Sequence, residues 1–326
     1  YLNSNDIESI EVLKDPSSLA IFGVKGASGV IAITTKKAKA GQINITLSTS
    51  YGAKSLVDKI EMANADDFKK ILAMEAANTG SGTLTNFLNN ELSKWTGNTD
   101  WIDAVTRTAS FYNTHLSIGA STEKNKFTMG LGYSADQGLV KHVEYKRFNL
   151  SLNDEYKLNK AIKVGFGFIG SNERLPFNGS TYLDDGRKAL PIIPSGTTRF
   201  HLRNPYLSVF DSANYDVYSD VPVIQNTERN PLLVLENNYN KFINNRLRAV
   251  GNVFAEVSFL RDFNFRATFY GDFAFGDDRR YTPVYHAYNP AATDPTRQAY
   301  LYSPLSQVNT KTNAQISNQQ DYILNY

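Results

Sequence analysis

Cysteine is missing altogether, which rules out disulfides and thiolate metal sites as sources of stability. Charge of either sign is not in excess: 34 Lys plus Arg face 32 Asp plus Glu, a formal balance of +2. Nothing electrostatic therefore calls for nucleic acid, and neither an acidic nor a basic partner is implied. No apolar run reaches the roughly 18 residues that a membrane helix requires. A helical membrane protein is excluded; a barrel is not. Histidine is scarce, and the four present, His115, His142, His201 and His286, lie far apart, none of them in an HExxH helix. They are read as structural or surface residues. No metal and no cofactor is expected.

What is present points to sheet. Hydrophobic residues make up 41% of the 326, close to the average for a folded chain and enough for two ordinary domains or one longer β-rich one. Tyr and Phe occur 19 times each, an enrichment that pleated, half-buried strands use readily.

The stretch NDIESIEVLKDPSSLAIFGVKGASGVIAITTKK, residues 5–37, packs two strands around one helical turn. Ile7, Ile10, Val12 and Leu13, with charges between them, predict a half-buried strand. Asp15 is a good N-cap and Pro16 suits the first helical position, so a short helix is expected over 16–22, closed by Gly23. Gly26 and Gly29 bracket a turn, and Val30, Ile31, Ile33, Thr34 and Thr35 predict a buried strand. The three glycines match neither GxGxxG nor a P-loop, which argues against a nucleotide cradle.

Beyond Gly41 strict alternation takes over. Ile43, Ile45, Leu47 and Tyr51 share one parity; Asn44, Thr46, Ser48 and Ser50 share the other. The same period recurs around 116–120, 127–133, 148–152, 162–168, 249–259, 263–275 and 314–326, about eight segments of the length and dyad period that membrane-barrel strands have. The opposite parity is polar or small, as in Lys126, Thr128, Gly130, Gly132 and Ser134. A sandwich would also alternate, so connection lengths discriminate better. Residues 54–108, with a helix capped by Asn64 and an apolar face of Phe68, Ile71, Leu72 and Met74, form a long connection. Residues 136–145, 171–245 and 277–306 join the same rim, while 121–125, 158–161 and 260–262 are tight turns. Bulk on one rim and turns on the other is how outer-membrane barrels are built, and Greek-key sandwiches have no reason to obey it.

At residue level the opening stretch resembles the C-terminal half of the plug domain of TonB-dependent outer-membrane transporters. The resemblance is carried by Ile7-Glu8-Ser9-Ile10-Glu11-Val12-Leu13-Lys14-Asp15, Ala20-Ile21-Phe22-Gly23, Gly26-Ala27-Ser28-Gly29-Val30-Ile31 and Ile33-Thr34-Thr35-Lys36. Asn5-Asp6, the Thr34-Thr35-Lys36 ending, Thr99-Asp100-Trp101 and the stretch 121–153 are similar to the SusC/RagA-like branch of Bacteroidetes. Pro16, Phe22 and Val24 depart mildly from that pattern, and none of the departures touches a glycine.

The resemblance implies an all-β fold: part of a large antiparallel transmembrane barrel, about 22 strands in the parent, with a small α/β plug portion. Residues 1–40 are expected to be the C-terminal part of the plug and 41–326 the first strands of the barrel, an internal piece with neither a signal peptide nor a TonB-contacting segment. Asp15, Gly23, Gly26 and Gly29 would shape the plug turn. The implied activity is TonB-dependent import of an oligomeric nutrient, glycan or peptide, across the outer membrane of a Gram-negative cell. The implied partners are a SusD-like lipoprotein, TonB and outer-membrane lipid, with no nucleic acid.

Phe177, Tyr182, Phe200, Tyr206 and Tyr215, among Asn, Asp and Ser neighbours, suit sugar rings; packing of the loop or contact with a lid is the competing reading. Asp184-Asp185 and Asp277-Asp278 fit no EF-hand spacing and cannot straddle a glycosidic bond, so they are read as solvated loop charge. No acid–base pair or nucleophile constellation can be assembled, and an enzyme is not expected. The alternative to a transporter is a soluble β-sandwich that binds glycans or mediates adhesion.

Overall fold

The computed structural model describes residues 4–19, 26–36, 41, 43–57, 59–95, 97–193, 231–232, 235, 241–260, 262–282, 285–288, 299–303 and 306–326. A single turn of 3-10 helix (Ser4–Asp6) leads into a two-stranded antiparallel hairpin, β1 (Ile7–Leu13) and β2 (Val30–Thr35). Between the strands Asp15 caps α1 (Pro16–Leu19): its Oδ2 accepts from the Ser18 amide at 3.3 Å and from the Ser17 hydroxyl. These bonds to the charged form hold the Asp15 carboxyl below the usual carboxylate range. The helix expected over 16–22 is described only to Leu19, and Gly23 lies outside the described residues. The turn into β2 is closed by the Gly29 amide on the Gly26 carbonyl at 2.8 Å, with Gly29 at φ +97°, where a β-carbon would be strained.

Burial of β2 was expected and is not found. Ile31 and Ile33 are 65% and 47% exposed, and their cross-strand partners Val12 and Ile10 are each 58% exposed. The β-branched run specifies a strand, but the hairpin meets the rest of the described protein through its Asp6 and Thr35–Lys36 end, leaving this apolar side uncovered there.

The main element is one eight-stranded antiparallel sheet in the order β12-β9-β8-β7-β6-β5-β4-β3, its strands following chain order except that β10 and β11 are left out between β9 and β12. Its members are β3 (Ile43–Lys54), β4 (Ala109–Ser121), β5 (Asn125–Gln137), β6 (Glu144–Lys157), β7 (Ile162–Arg174), β8 (Phe242–Phe259), β9 (Phe263–Thr282) and β12 (Gln307–Asn325). A small hairpin, β10 (Tyr285–Tyr288) and β11 (Ala299–Ser303), rises from the β9–β12 connection.

Register fixes the two faces. One cross-strand row reads Leu47, Leu116, Leu131, Leu150, Gly170, Ala249, Phe273 and Ile316. The row one residue away reads Thr46, Ser117, Gly130, Ser151, Ile169, Val250, Asp272 and Ser317. Because side chains alternate across a strand, the first row and its like-parity neighbours form an apolar face and the second a largely polar one. Among the described residues no second sheet covers the apolar face, where Leu47, Phe166 and Phe269 stand 67%, 41% and 47% exposed. A sandwich would bury those residues. The fold is that of a barrel wall, open here at β3 and β12.

Connections at one rim are 122–124, 158–161 and 260–262; at the other they are 55–108, 138–143, 175–241 and 283–306. The long rim carries its own core. Helix α2 (Ala65–Thr79) starts at Asn64, whose Oδ1 accepts from the Asp67 amide at 2.9 Å. Its buried stripe is Ala65, Leu72 and Ala76, with Phe68 packed beside it. Ile71 and Met74, expected on that face, are 54% and 64% exposed: at about 100° per residue they turn away from the stripe set by 65, 68, 72 and 76. Helices α3 (Gly82–Asn86) and α4 (Trp101–Val105) complete the packing. Asp277 and Asp278, read as loop charge, belong to β9, because that strand runs on to Thr282 past the apolar band.

Candidate functional site

Two places collect polar or packed side chains that strand geometry alone does not demand. The first lies where the β1–β2 hairpin meets the polar face of the sheet. Asp6 closes the 3-10 turn and is 7% exposed. Its backbone carbonyl accepts the Lys36 amide at 2.8 Å, tying the two ends of the hairpin together. Its carboxylate reaches the other way: Ser151 donates Oγ–H to Oδ2 at 2.8 Å. His115 Nε2 lies 2.7 Å from Oδ1, a close polar contact not aligned as a straight hydrogen bond.

These partners belong to different strands, Ser151 to β6 and His115 to β4. Between them runs β5, where Gly130 stands directly opposite both Ser117 and Ser151. A β-carbon on Gly130 would sit 2.6 and 2.8 Å from the Asp6 carboxylate oxygens and collide with the Ser151 hydroxyl. The carboxylate therefore occupies the space that the glycine leaves empty. A buried carboxylate without partners is costly; here the Ser151 hydroxyl bonds one oxygen and the His115 ring lies close to the other. Around this point a cleft of about 530 Å³ is lined by hydroxyls and amides that include Asn44, Thr46, Ser48, Ser117 and Asn153.

Further along the polar wall, side chains pair across strands. Arg246 holds Asp278 through two bonds of 2.9 Å, and Arg248 holds Asp272 through bonds of 3.1 and 2.7 Å. These forks occupy both carboxylate oxygens, which leaves Asp278 engaged in an ion pair. Asp184 pairs with Arg187 at 3.0 Å. Among the described residues no cluster of three or more His, Asp or Glu has metal-ligating geometry.

The second place is the long rim. The connection that follows β3 and the one that follows β7 pack into a common core, where Trp95, Trp101, Ile192 and Ile193 are almost fully buried. Asp100 caps α4 by accepting from the Ile102 and Asp103 amides at 3.1 and 3.2 Å. Burial would raise its pKa, but Lys59 and those amides outweigh it and hold the carboxyl below the usual range.

Two of the expected ligand-contacting aromatics fall here. Tyr182, in α5 (Ser180–Lys188), is only 7% exposed and packs with Val105, Val140 and Leu235. Phe177 meets it edge-on at 5.8 Å and stacks on Phe242 at 5.6 Å. Both are engaged in packing the rim. Phe200, Tyr206 and Tyr215 lie outside the described residues.

Sequence reasoning treated His115 as an isolated structural or surface residue and missed the Asp6–His115–Ser151 grouping. The available signal was the run of small residues on the polar parity of β5, Thr128, Gly130 and Gly132, since a missing side chain on a wall marks where something else comes close.

No protein-family model matches the chain. Among curated proteins it is 31% identical over 298 residues to the TonB-dependent receptor SusC of Bacteroides thetaiotaomicron, an overlap of 84% of this chain and 27% of that protein. It is also 33% identical over 165 residues to a TonB-dependent receptor of Formosa agariphila, 51% of this chain and 15% of that one. The chain thus spans about a quarter of SusC. Among solved structures, the RagAB peptide importer in its open-open and closed-closed states superposes with TM-scores of 0.70 and 0.71 at 21% and 20% identity. Those superpositions cover 99% of this chain and 36% and 37% of the importer chain.

Proposed function

We propose that this chain, SusC/RagA-like in sequence and fold, is part of a TonB-dependent importer of the Gram-negative outer membrane. Residues 1–40 are the C-terminal part of its plug and 41–326 the first strands of a barrel of about 22 strands. The apolar face contacts lipid, the polar face lines the lumen, and the long rim faces outward. Asp15, Gly26 and Gly29, with Gly23, shape a compact stopper that carries no chemistry of its own. The cargo is an oligomeric nutrient, a glycan or a peptide, handed in by a SusD-like surface lipoprotein and released inward when TonB pulls on the plug.

One observation carries this reading: all eight strands contribute apolar side chains to the face away from the hairpin, while the hairpin rests on the polar side. An enzyme is not favoured, because the curated relatives are receptors. Phe200, Tyr206 and Tyr215 remain the proposed aromatic contacts to cargo, whereas Phe177 and Tyr182 support the rim.

The reading is tested with the intact receptor in a Gram-negative host. Labelled oligosaccharide and oligopeptide pools are supplied with and without functional TonB, and with and without the surface lipoprotein. One pool should accumulate only when TonB and the lipoprotein are both present. Accumulation that persists without TonB would refute the proposal.

A further inference from the structure

We infer that Asp6 is the positioning residue that clamps the β1–β2 hairpin to the lumenal wall, and that opening this clasp is a required step before cargo can pass the hairpin. The inference rests on the import reading above and specifies where the stopper is held. Three features single out Asp6. It joins both hairpin ends to the wall, since its carbonyl takes the Lys36 amide while its carboxylate takes Ser151 and contacts His115. It spans three adjacent strands of the wall, β4, β5 and β6. And its seat is cut to fit, because Gly130 leaves room that even a methyl group would fill.

Among the described residues, the outward side of β1 and β2 presents exposed Ile10, Val12, Ile31 and Ile33, and the cleft beside Asp6 is open enough for water to enter. Asp6 is, among the described residues, the hairpin side chain buried against the wall, and freeing it releases that end of the hairpin. A carboxylate suits a reversible attachment: when pulled free it regains its hydration, so the released state carries no orphaned buried charge. An apolar anchor of equal size would hold with no comparable return on release.

The test uses the full-length receptor in proteoliposomes, without TonB and without cargo. Hydrogen exchange is followed at the amides of 7–13 and 30–35, and leakage of a small fluorophore is recorded in parallel. Asp6→Asn keeps the shape but loses the charge; Gly130→Ala keeps every charge but fills the seat. Both are expected to speed hairpin exchange at least tenfold and to raise leakage, with exchange in the strand cores unchanged. Gly271→Ala, where an added β-carbon meets nothing within 4 Å, is expected to alter neither readout. Ser151→Ala, mild enough to leave folding intact, is expected to speed hairpin exchange severalfold and guards against poor insertion of the other two. The double variant Asp6→Ala/Gly130→Ala should be no looser than Asp6→Ala alone, because the added methyl then has no carboxylate to displace.

Hairpin exchange within twofold of wild type in Asp6→Asn, Gly130→Ala and Ser151→Ala would overturn the clasp. Faster exchange with unchanged leakage would overturn its role in opening the passage. Exchange is read without import, so the two readings fail separately: a receptor that never imports but loosens in these variants would sink the import proposal and leave the clasp standing.

Discussion

Trp101 donates its indole N–H to the carbonyl oxygen of Leu190 at 2.8 Å, across 89 residues of sequence. With the Thr99 hydroxyl on the Ile193 carbonyl at 2.8 Å, it joins the connection after β3 to the one after β7. Trp101→Phe should cost about 0.5–1.5 kcal/mol by removing that hydrogen bond, since the Leu190 carbonyl keeps the Ile193 amide at 3.2 Å, and Trp101→Ala about 3–5 kcal/mol by adding a cavity. Limited proteolysis of the intact receptor should cut 180–193 faster in the order Ala, Phe, wild type, with the strands still protected. Equal cleavage rates would separate the two connections energetically.

Asp100 gives the same rim a pH dependence of definite sign. Its folded pKa lies below the unfolded value of about 3.9. Its stabilisation is therefore complete above the unfolded value and is lost as pH falls through the folded one. Exchange at the Ile102 and Asp103 amides should rise, relative to the intrinsic rate, as pH drops from about 5 to 3. Asp100→Ala should remove that rise and cost about 1 kcal/mol at neutral pH through loss of the cap. A pH-independent ratio in the wild type would contradict the assignment.

On the polar wall, Gly165 stands opposite Phe254 and lets the ring lie across it; an added β-carbon would be 2.5 Å from the ring. Arg266 in turn stacks on Phe254 at 3.9 Å. Gly165→Val should expel the ring and destabilise the barrel by about 1–3 kcal/mol, measured by denaturant unfolding in detergent. Phe254 fluorinated on the ring should show a changed 19F resonance in the same variant, and an unchanged resonance would refute the stacking.

The Arg248–Asp272 pair predicts a small effect in spite of its bidentate geometry. The side chains are 41% and 33% exposed, so water screens the attraction, and a double-mutant cycle should return a coupling of about 1 kcal/mol or less. A coupling several times larger would mean that this part of the lumen is dry.

Strand positions were legible because their signal is local: Leu116, Leu131 and Leu150 announce their parity within a few residues, and one buried or lipid-facing side fixes register. The cap at Asn64 was equally local. Burial was less legible. Ile31 and Ile33 read as core by type, yet what covers a strand depends on elements far away in the chain. Ile71 and Met74 were misassigned because Leu72 and Phe68 alone leave the helical stripe undetermined until a partner chooses it. The Asp6–Ser151 bond spans 145 residues, and no periodicity encodes such a pairing; only the small Gly130 hinted at it. Tyr182 shows the limit for aromatics, since the same ring serves a sugar or a rim core and only its neighbours decide.

The import reading depends on which face of the sheet meets lipid. Nitroxide labels at Leu131, Phe166 and Phe269, and at Ser134 and Asn252 on the other parity, can be compared in the full-length receptor in lipid bilayers. With the apolar face against lipid, oxygen should relax the first three strongly and a water-soluble nickel chelate barely, with the order reversed for the last two. Nickel accessibility at Leu131, Phe166 and Phe269 equal to that at Ser134 and Asn252 would contradict it.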